Sequence, residues 1–237
     1  ERGWVDNADM PVEKKKRGPK PKGAVKIEWS ADFAYAIGLI TSDGNLSKDG
    51  RHITFVSKED EQITNFCCAL GVDATVGYTH SGTNVRAYRV QLGDVLFYQF
   101  LLSIGLMPDK SKVIGRVLVP DGMFFDFLRG CFDGDGTVYS YWDKRWRSSF
   151  MFYVSLASAS RVFIDWVRVE INDRLGILGH LTSDKKGTYF QLKYAKADSL
   201  TLIEAMYGDG NRCLPRKRLK IEEILCIIGK SSKIIDR

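Results

Sequence analysis

The sequence has little with which to build a covalent or metal-based scaffold. Its five cysteines (Cys67, Cys68, Cys131, Cys213, Cys226) show no Cys-x-x-Cys spacing and leave an odd one over. That pattern excludes a disulfide frame and a cysteine zinc site. It suits a reducing intracellular compartment, whether a bacterial cytoplasm or the organelle or nucleus of a eukaryote. The three histidines are scattered and make no ligand cluster. No stretch approaches the ~20 consecutive apolar residues that a membrane span needs, so no membrane partner is expected. Core-forming residues are scarce in the first 28 positions. The charge excess is small: +6 over 237 residues, with a pI near 9.0, which permits a nucleic-acid partner without requiring one. The length suffices for one large domain or two small ones.

What the chain does have is a stretch that occurs twice. Leu128-Arg129-Gly130-Cys131-Phe132-Asp133-Gly134-Asp135-Gly136 is answered by Ala36-Ile37-Gly38-Leu39-Ile40-Thr41-Ser42-Asp43-Gly44. Each reads as the end of an apolar helix that runs into an acidic residue and a glycine. Small residues recur four positions apart, Gly38 with Ser42 and Gly130 with Gly134, so each pair shares a helix face. Such faces let two helix backbones approach closely. If they pack on each other, Asp43 and Asp135 finish side by side. Adjacent carboxylates repel unless a proton or a cation lies between them, and a divalent metal held by hard oxygen ligands is the natural candidate.

The surrounding sequence repeats as well. Leu70-Gly71-Val72 is answered by Leu175-Gly176-Ile177, Val90-Gln91-Leu92 by Phe190-Gln191-Leu192, and Pro108-Asp109-Lys110 by Pro215-Arg216-Lys217. Each half reads as helix, hairpin, helix, hairpin, helix. In the first half a helix follows Trp29-Ser30, with Ser30 as N-cap. A hairpin turns at Asp49-Gly50, a helix over 59–70 stops at Gly71, a second hairpin covers 74–92, and a helix covers 94–104. The second half has helices over 124–135, 161–175 and 197–207, a long hairpin over 137–156, strands near 180–182 and 188–194, and a last helix ending near 228. Pro120-Asp121-Gly122 marks the join. The expected organisation is a flexible basic tail (1–28), a first repeat (29–119) and a second repeat (120–237).

The double motif resembles that of the LAGLIDADG homing endonucleases in their single-chain, two-repeat form. The second copy fits closely. In the first, Thr41 stands where the family has its earlier Asp, and Ser42 where it has Ala or Gly. The resemblance implies an α+β fold of two pseudo-symmetric αββαββα repeats. Each would be an antiparallel four-stranded sheet with helices on one face, the motif helices meeting at the repeat interface. It implies a monomeric, site-specific double-strand DNA endonuclease, a meganuclease of intron or intein origin, cutting across the minor groove and leaving 3′ overhangs. Asp43 and Asp135 would be its metal-binding pair, with backbone carbonyls near Ser42 and Gly134 as further ligands. Mg²⁺ takes one or two protein carboxylates and is the default; Mn²⁺ could replace it, and Ca²⁺ would suit a non-cleaving complex. Lys110 and Lys217, in equivalent Pro-x-Lys positions, match a basic residue that the family carries near each scissile phosphate. A lysine there stabilises developing charge or polarises the attacking water. Lys112 is an alternative to Lys110, and Lys58, with Ser158 near its place in the second half, is a weaker candidate.

If helices cover one face of each sheet, period-two alternation assigns the other face to DNA. In the first half that face takes His52, Thr54, Arg89 and Gln91, with Lys48, Arg51 and Arg86 near the loops. In the second it takes Tyr189, Gln191 and Lys193, with Lys185 and Lys186 at the turn. A longer loop mixes aromatic and basic residues: Tyr141, Trp142, Lys144, Arg145, Trp146, Arg147. Arg and Gln suit guanine and adenine edges, whereas Lys and loop Arg suit phosphates. Because the halves differ at these positions, the long duplex target should be only loosely palindromic. In the tail, Arg17-Gly18-Pro19-Lys20-Pro21 resembles an AT-hook, with Arg17 and Lys20 for a narrow minor groove. The rival reading is a binding protein on the same fold, either an RNA maturase or a DNA regulator that no longer cuts. The intact acidic pair favours cutting, and the departures at Thr41 and Ser42 keep the rival open.

Overall fold

The computed structural model describes residues 23–80, 85–146, 148–208 and 210–230. The tail residues Arg17 and Lys20, and loop residue Arg147, lie outside these. The first half contains α1 (Ala31–Ser42), β1 (Gly44–Leu46), β2 (His52–Ser57), α2 (Asp60–Leu70), β3 (Val76–His80), β4 (Arg86–Gly93) and α3 (Val95–Ser103). The second contains α4 (Phe124–Asp135), β5 (Gly136–Trp142), β6 (Phe150–Ser158), α5 (Arg161–Leu175), β7 (His180–Ser183), β8 (Phe190–Ala195) and α6 (Lys196–Met206), followed by α7 (Pro215–Ile227). Both sheets are antiparallel and four-stranded, with orders β1-β2-β4-β3 and β5-β6-β8-β7. The fold is therefore α+β, and the two halves repeat one topology.

Local chemistry sets the boundaries. Ser30 Oγ accepts from the Phe33 amide at 3.1 Å, and the Trp29 ring meets Phe33 edge-on, so α1 starts where a capped, stapled helix should. Gly71 and Gly176 adopt the left-handed conformation that ends α2 and α5. The sheets alternate as a half-covered sheet must. Ile53, Phe55, Val90 and Leu92 are buried beneath the helices, while Thr54, Val56, Arg89 and Gln91 face the other way.

Two features depart from the expected organisation. Packing begins before Trp29, because Val25 is buried in the core and Asp94 Oδ2 accepts from the Ala24 amide at 2.6 Å and the Val25 amide at 3.0 Å. The same carboxylate caps α3 through the Phe97 amide at 2.9 Å. The Pro-x-Lys segments also differ between halves. Pro108-Asp109-Lys110 leads into one 3₁₀ turn (Lys110–Lys112), whereas Pro215 opens the 13-residue α7. Proline suits the first position of a helix, and α7 goes on because buried Ile221, Ile224 and Leu225 anchor it.

Candidate active site

The two motif helices α1 and α4 form the joint between the halves. In α1 every residue from Phe33 to Thr41 is buried, because the helix is enclosed by its own half and by α4. The helices touch backbone to backbone. A methyl group on Gly38 would stand 2.8 Å from both Gly130 Cα and Cys131 N. One on Gly130 would stand 2.9 Å from Gly38 Cα and 3.0 Å from Leu39 N. The spacing of small residues is thus used for close approach, as expected. One turn further on, a methyl on Gly134 would lie 2.7 Å from Asp43 Oδ2, so the first acidic residue is held against the end of the opposite helix.

Asp43 and Asp135 consequently finish at the same end of the pair. Both reach solvent, yet protein surrounds them on the other sides. Burial, then the neighbouring Asp135 charge, pushes the Asp43 carboxyl up to about 6, and Lys217 and Lys110 pull the other way. Asp135 is also raised by burial, against the same two lysines. A cavity of about 260 Å³ opens beside Asp135, lined by Thr41, Ser42, Ser111, Ser158 and Tyr189 among others. Ser158 is thus brought to the site, whereas Lys58 and Lys112 are exposed side chains outside this lining.

Lys110 and Lys217 are not surface lysines; they are only 6% and 4% exposed. Each ammonium sits at the end of a motif helix. Lys110 Nζ donates to the Gly44 carbonyl, just past α1. Lys217 Nζ donates to the carbonyls of Phe132, of Asp133 at 2.8 Å and of Gly134 at 3.2 Å, the last turn of α4. A cation at a helix C-terminus meets the negative end of its dipole. Burial lowers both ammonium pKa values, that of Lys217 to about 8. The further ligands expected were backbone carbonyls near Ser42 and Gly134. The Gly134 carbonyl already accepts from Lys217, and Ser42 Oγ donates back to Gly38 and Leu39 carbonyls at 3.3 and 3.1 Å. No group of three or more His, Cys, Asp or Glu able to hold a metal occurs among the described residues, so Asp43 and Asp135 form a two-carboxylate set. These two carboxylates are the hard oxygen groups that could hold a divalent cation here.

A family profile for the LAGLIDADG-like domain matches residues 125–207. Among solved structures, I-WcaI bound to its DNA recognition sequence superposes with a TM-score of 0.58 at 14% identity, over 81% of this chain and 88% of that one. Mesophilic variants of I-DmoI give 0.52 at 14%, over 80% and 96%. Residues 125–207 thus match a LAGLIDADG-like domain, and the chain shares the fold of I-WcaI and I-DmoI. The same fold occurs in full-length DUF199/WhiA from Thermatoga maritima, with a TM-score of 0.53 at 16% identity over 86% of this chain. The chain spans 64% of the length of that WhiA structure. A comparison with curated proteins returned no match.

The two sheets present their open faces as alternation requires. In the first, His52, Thr54, Arg89 and Gln91 share that face, and Arg89 donates to Gln91. Lys48 and Arg51 are exposed at the β1–β2 loop, Lys48 paired with Asp109 at 2.7 Å. Arg86 is at the loop end of β4, but register puts it in the row of Tyr88, Val90 and Leu92, stacked 3.5 Å over the Tyr78 ring. In the second sheet, Gln191 and Lys193 share the open face with a tyrosine ladder. Tyr139 stacks on Tyr153 at 5.1 Å and Tyr141 on Tyr153 at 6.1 Å, and Lys193 Nζ lies over the Tyr139 and Tyr153 rings. Tyr189, Lys185 and Lys186 are exposed at the β7–β8 turn. Lys144 and Arg145 are exposed in the β5–β6 loop, where Arg145 pairs with Asp143.

Sequence reasoning gave no role to Asp133 or Arg129, both 1% exposed. The Arg129 guanidinium donates to the carbonyls of Arg212 and Met206 at 2.8 and 2.7 Å and to Asp126 at 2.7 Å. Asp133 accepts from Tyr35 Oη, Tyr207 Oη and the Leu214 amide at 2.8, 3.0 and 2.6 Å. A charged residue at a buried helix position was the available signal, and its partners come from distant parts of the chain.

Proposed function

We propose that this protein is a site-specific endonuclease for double-stranded DNA that depends on a divalent cation. The observation that carries this is the meeting of Asp43 and Asp135 at one end of the α1–α4 pair, each raised in pKa. Two carboxylates so placed are a standing electrostatic cost that a cation removes. A bound Mg²⁺ supplies charge neutralisation on the phosphate and a more acidic water. The protein's own part is to hold the two carboxylates together and to place two ammonium groups behind them. The sheet faces bearing Arg89, Gln91, His52 and Thr54, and Gln191, Lys193 and the tyrosine ladder, contact the flanking duplex. I-WcaI, which carries this fold, was solved on its DNA recognition sequence, and I-DmoI in complex with DNA and Ca, which supports the assignment of both partners.

In this proposal one chain supplies both halves of the site and acts as a monomer, one carboxylate serving each strand. The cuts leave 3′ overhangs on a long, loosely palindromic target. The five free cysteines suit action in a reducing compartment. The test is cleavage of a randomised duplex library with Mg²⁺, alongside EDTA and the variants Asp43→Asn and Asp135→Asn. Specific double-strand cuts that disappear in each variant and in EDTA are expected. Selective retention of duplexes without any cut, unchanged in the variants, would replace this function with DNA binding alone. Failure to retain any duplex would bring RNA binding forward.

A further inference from the structure

The two halves hold their lysines in different ways, and Asp133 makes the difference. Asp133 lies in the last turn of α4. Its Oδ2 accepts from the Leu214 amide at 2.6 Å and from Tyr35 Oη of α1 at 2.8 Å, and its Oδ1 accepts from Tyr207 Oη at 3.0 Å. Leu214 is the N-cap residue of α7, and no side chain within α7's own segment caps that end. The Asp133 carboxylate therefore caps a helix to which it does not belong. Three residues on, Lys217 sends its ammonium back to the carbonyls of Phe132, Asp133 and Gly134. The clamp is reciprocal. An anion from α4 sits at the positive end of α7, and a cation from α7 sits at the negative end of α4.

The first half is built otherwise. Thr41, at the place equivalent to Asp133, turns its hydroxyl to the Ile37 carbonyl of its own helix at 2.8 Å. The segment carrying Lys110 is a single 3₁₀ turn whose N-cap, Asp109, has a positive φ of 54° and makes no side-chain cap bond. Among the described residues Lys110 bonds one carbonyl, that of Gly44.

We infer that Asp133 is a positioning residue: by capping α7 it fixes Lys217 against the end of α4 beside Asp135, and it does this for the second half of the site alone. The consequence for cleavage rests on the nuclease reading above; the positioning itself does not. The two strands of a target are then served by unequal machinery, one half clamped reciprocally and the other held through a single carbonyl.

The test compares wild type, Asp133→Asn and Asp133→Ala by amine-reactive labelling of the intact protein, read at Lys217 and Lys110 by mass spectrometry. An amide oxygen in place of Oδ2 still accepts from Leu214 and Tyr35, and its NH₂ can donate to Tyr207 Oη. Asp133→Asn should therefore keep Lys217 protected. Asp133→Ala should expose Lys217 and leave Lys110 protected. A general loss of structure would expose both lysines together and so overturn the inference, as would Lys217 remaining protected in Asp133→Ala. On a cleaved duplex, strand-resolved kinetics of Asp133→Ala should show one strand slowed about 10- to 100-fold, the loss typical of a misplaced group, with nicked product accumulating. Equal slowing of both strands overturns the assignment to one half. If wild type cuts nothing, the nuclease reading fails, and the labelling still decides whether Asp133 positions Lys217.

Discussion

Replacing Gly38 by alanine probes the joint on which the site depends. The added methyl would lie 2.8 Å from Gly130 Cα and from Cys131 N, where ordinary contact begins at 3.4 Å. The shortfall is about 0.6 Å at these two atoms and larger at the Phe127 carbonyl oxygen, and all three are backbone, which cannot swing aside as a side chain can. The helices must part. Overpacking of this kind costs about 3 kcal/mol, at the upper end of its usual range, because the obstruction is backbone. Alanine's better helix propensity returns about 1 kcal/mol. The net loss of about 2 kcal/mol corresponds to a fall in Tm of about 4–8 °C for a chain of this size. Thermal unfolding followed by circular dichroism measures it, with Gly115→Ala as the comparison. There the new methyl would meet only a Val162 methyl at 3.6 Å, so Tm should stay close to wild type. If Gly38→Ala matched or exceeded the wild-type Tm, the close approach of α1 and α4 would not be a constraint and the derivation would fail.

Two further outcomes are expected. Asp43, held up to about 6, binds its proton more tightly folded than unfolded. Its contribution to stability is therefore present below about pH 4 and is lost as pH rises through 6, by about 1 kcal/mol or less given its solvent access. The difference in Tm between wild type and Asp43→Asn, measured from pH 4 to pH 7, should shift in favour of the variant, and saturating Ca²⁺ at pH 7 should raise wild type selectively. An unchanging difference across that range would refute the raised pKa that burial and the Asp135 charge impose. Arg129→Met should destabilise by about 3–5 kcal/mol in urea unfolding, since it strips donors from the buried Met206 carbonyl and the half-buried Arg212 carbonyl and leaves Asp126 without its ion pair. A loss under about 1 kcal/mol would show that water replaces the guanidinium at no cost.

Much of the architecture was legible because it is written in local chemistry. The Ser30 cap, the Gly71 and Gly176 stops and the period-two alternation of 89–92 each act within a few residues, and each fixed its element where expected. The small-residue spacing forecast the close approach of α1 and α4, because an i, i+4 pair always shares a face. The repeat also tied Lys110 to Lys217 as equivalents in sequence. Their burial was not legible, since a lysine at the start of a helix reads as solvent-facing until the helix it points at is placed.

The sequence by itself thus determined the order of elements, the pairing of the two motif helices and the presence of two carboxylates at their ends. Only the tertiary structure decided that Asp133 caps α7, that Arg129 is satisfied by Met206 and Arg212, and that Lys217 grips three carbonyls where Lys110 grips one. The physical reason is range. Propensity, capping and alternation are settled by neighbours along the chain. A buried charge is settled by whichever distant backbone groups the completed packing delivers to it.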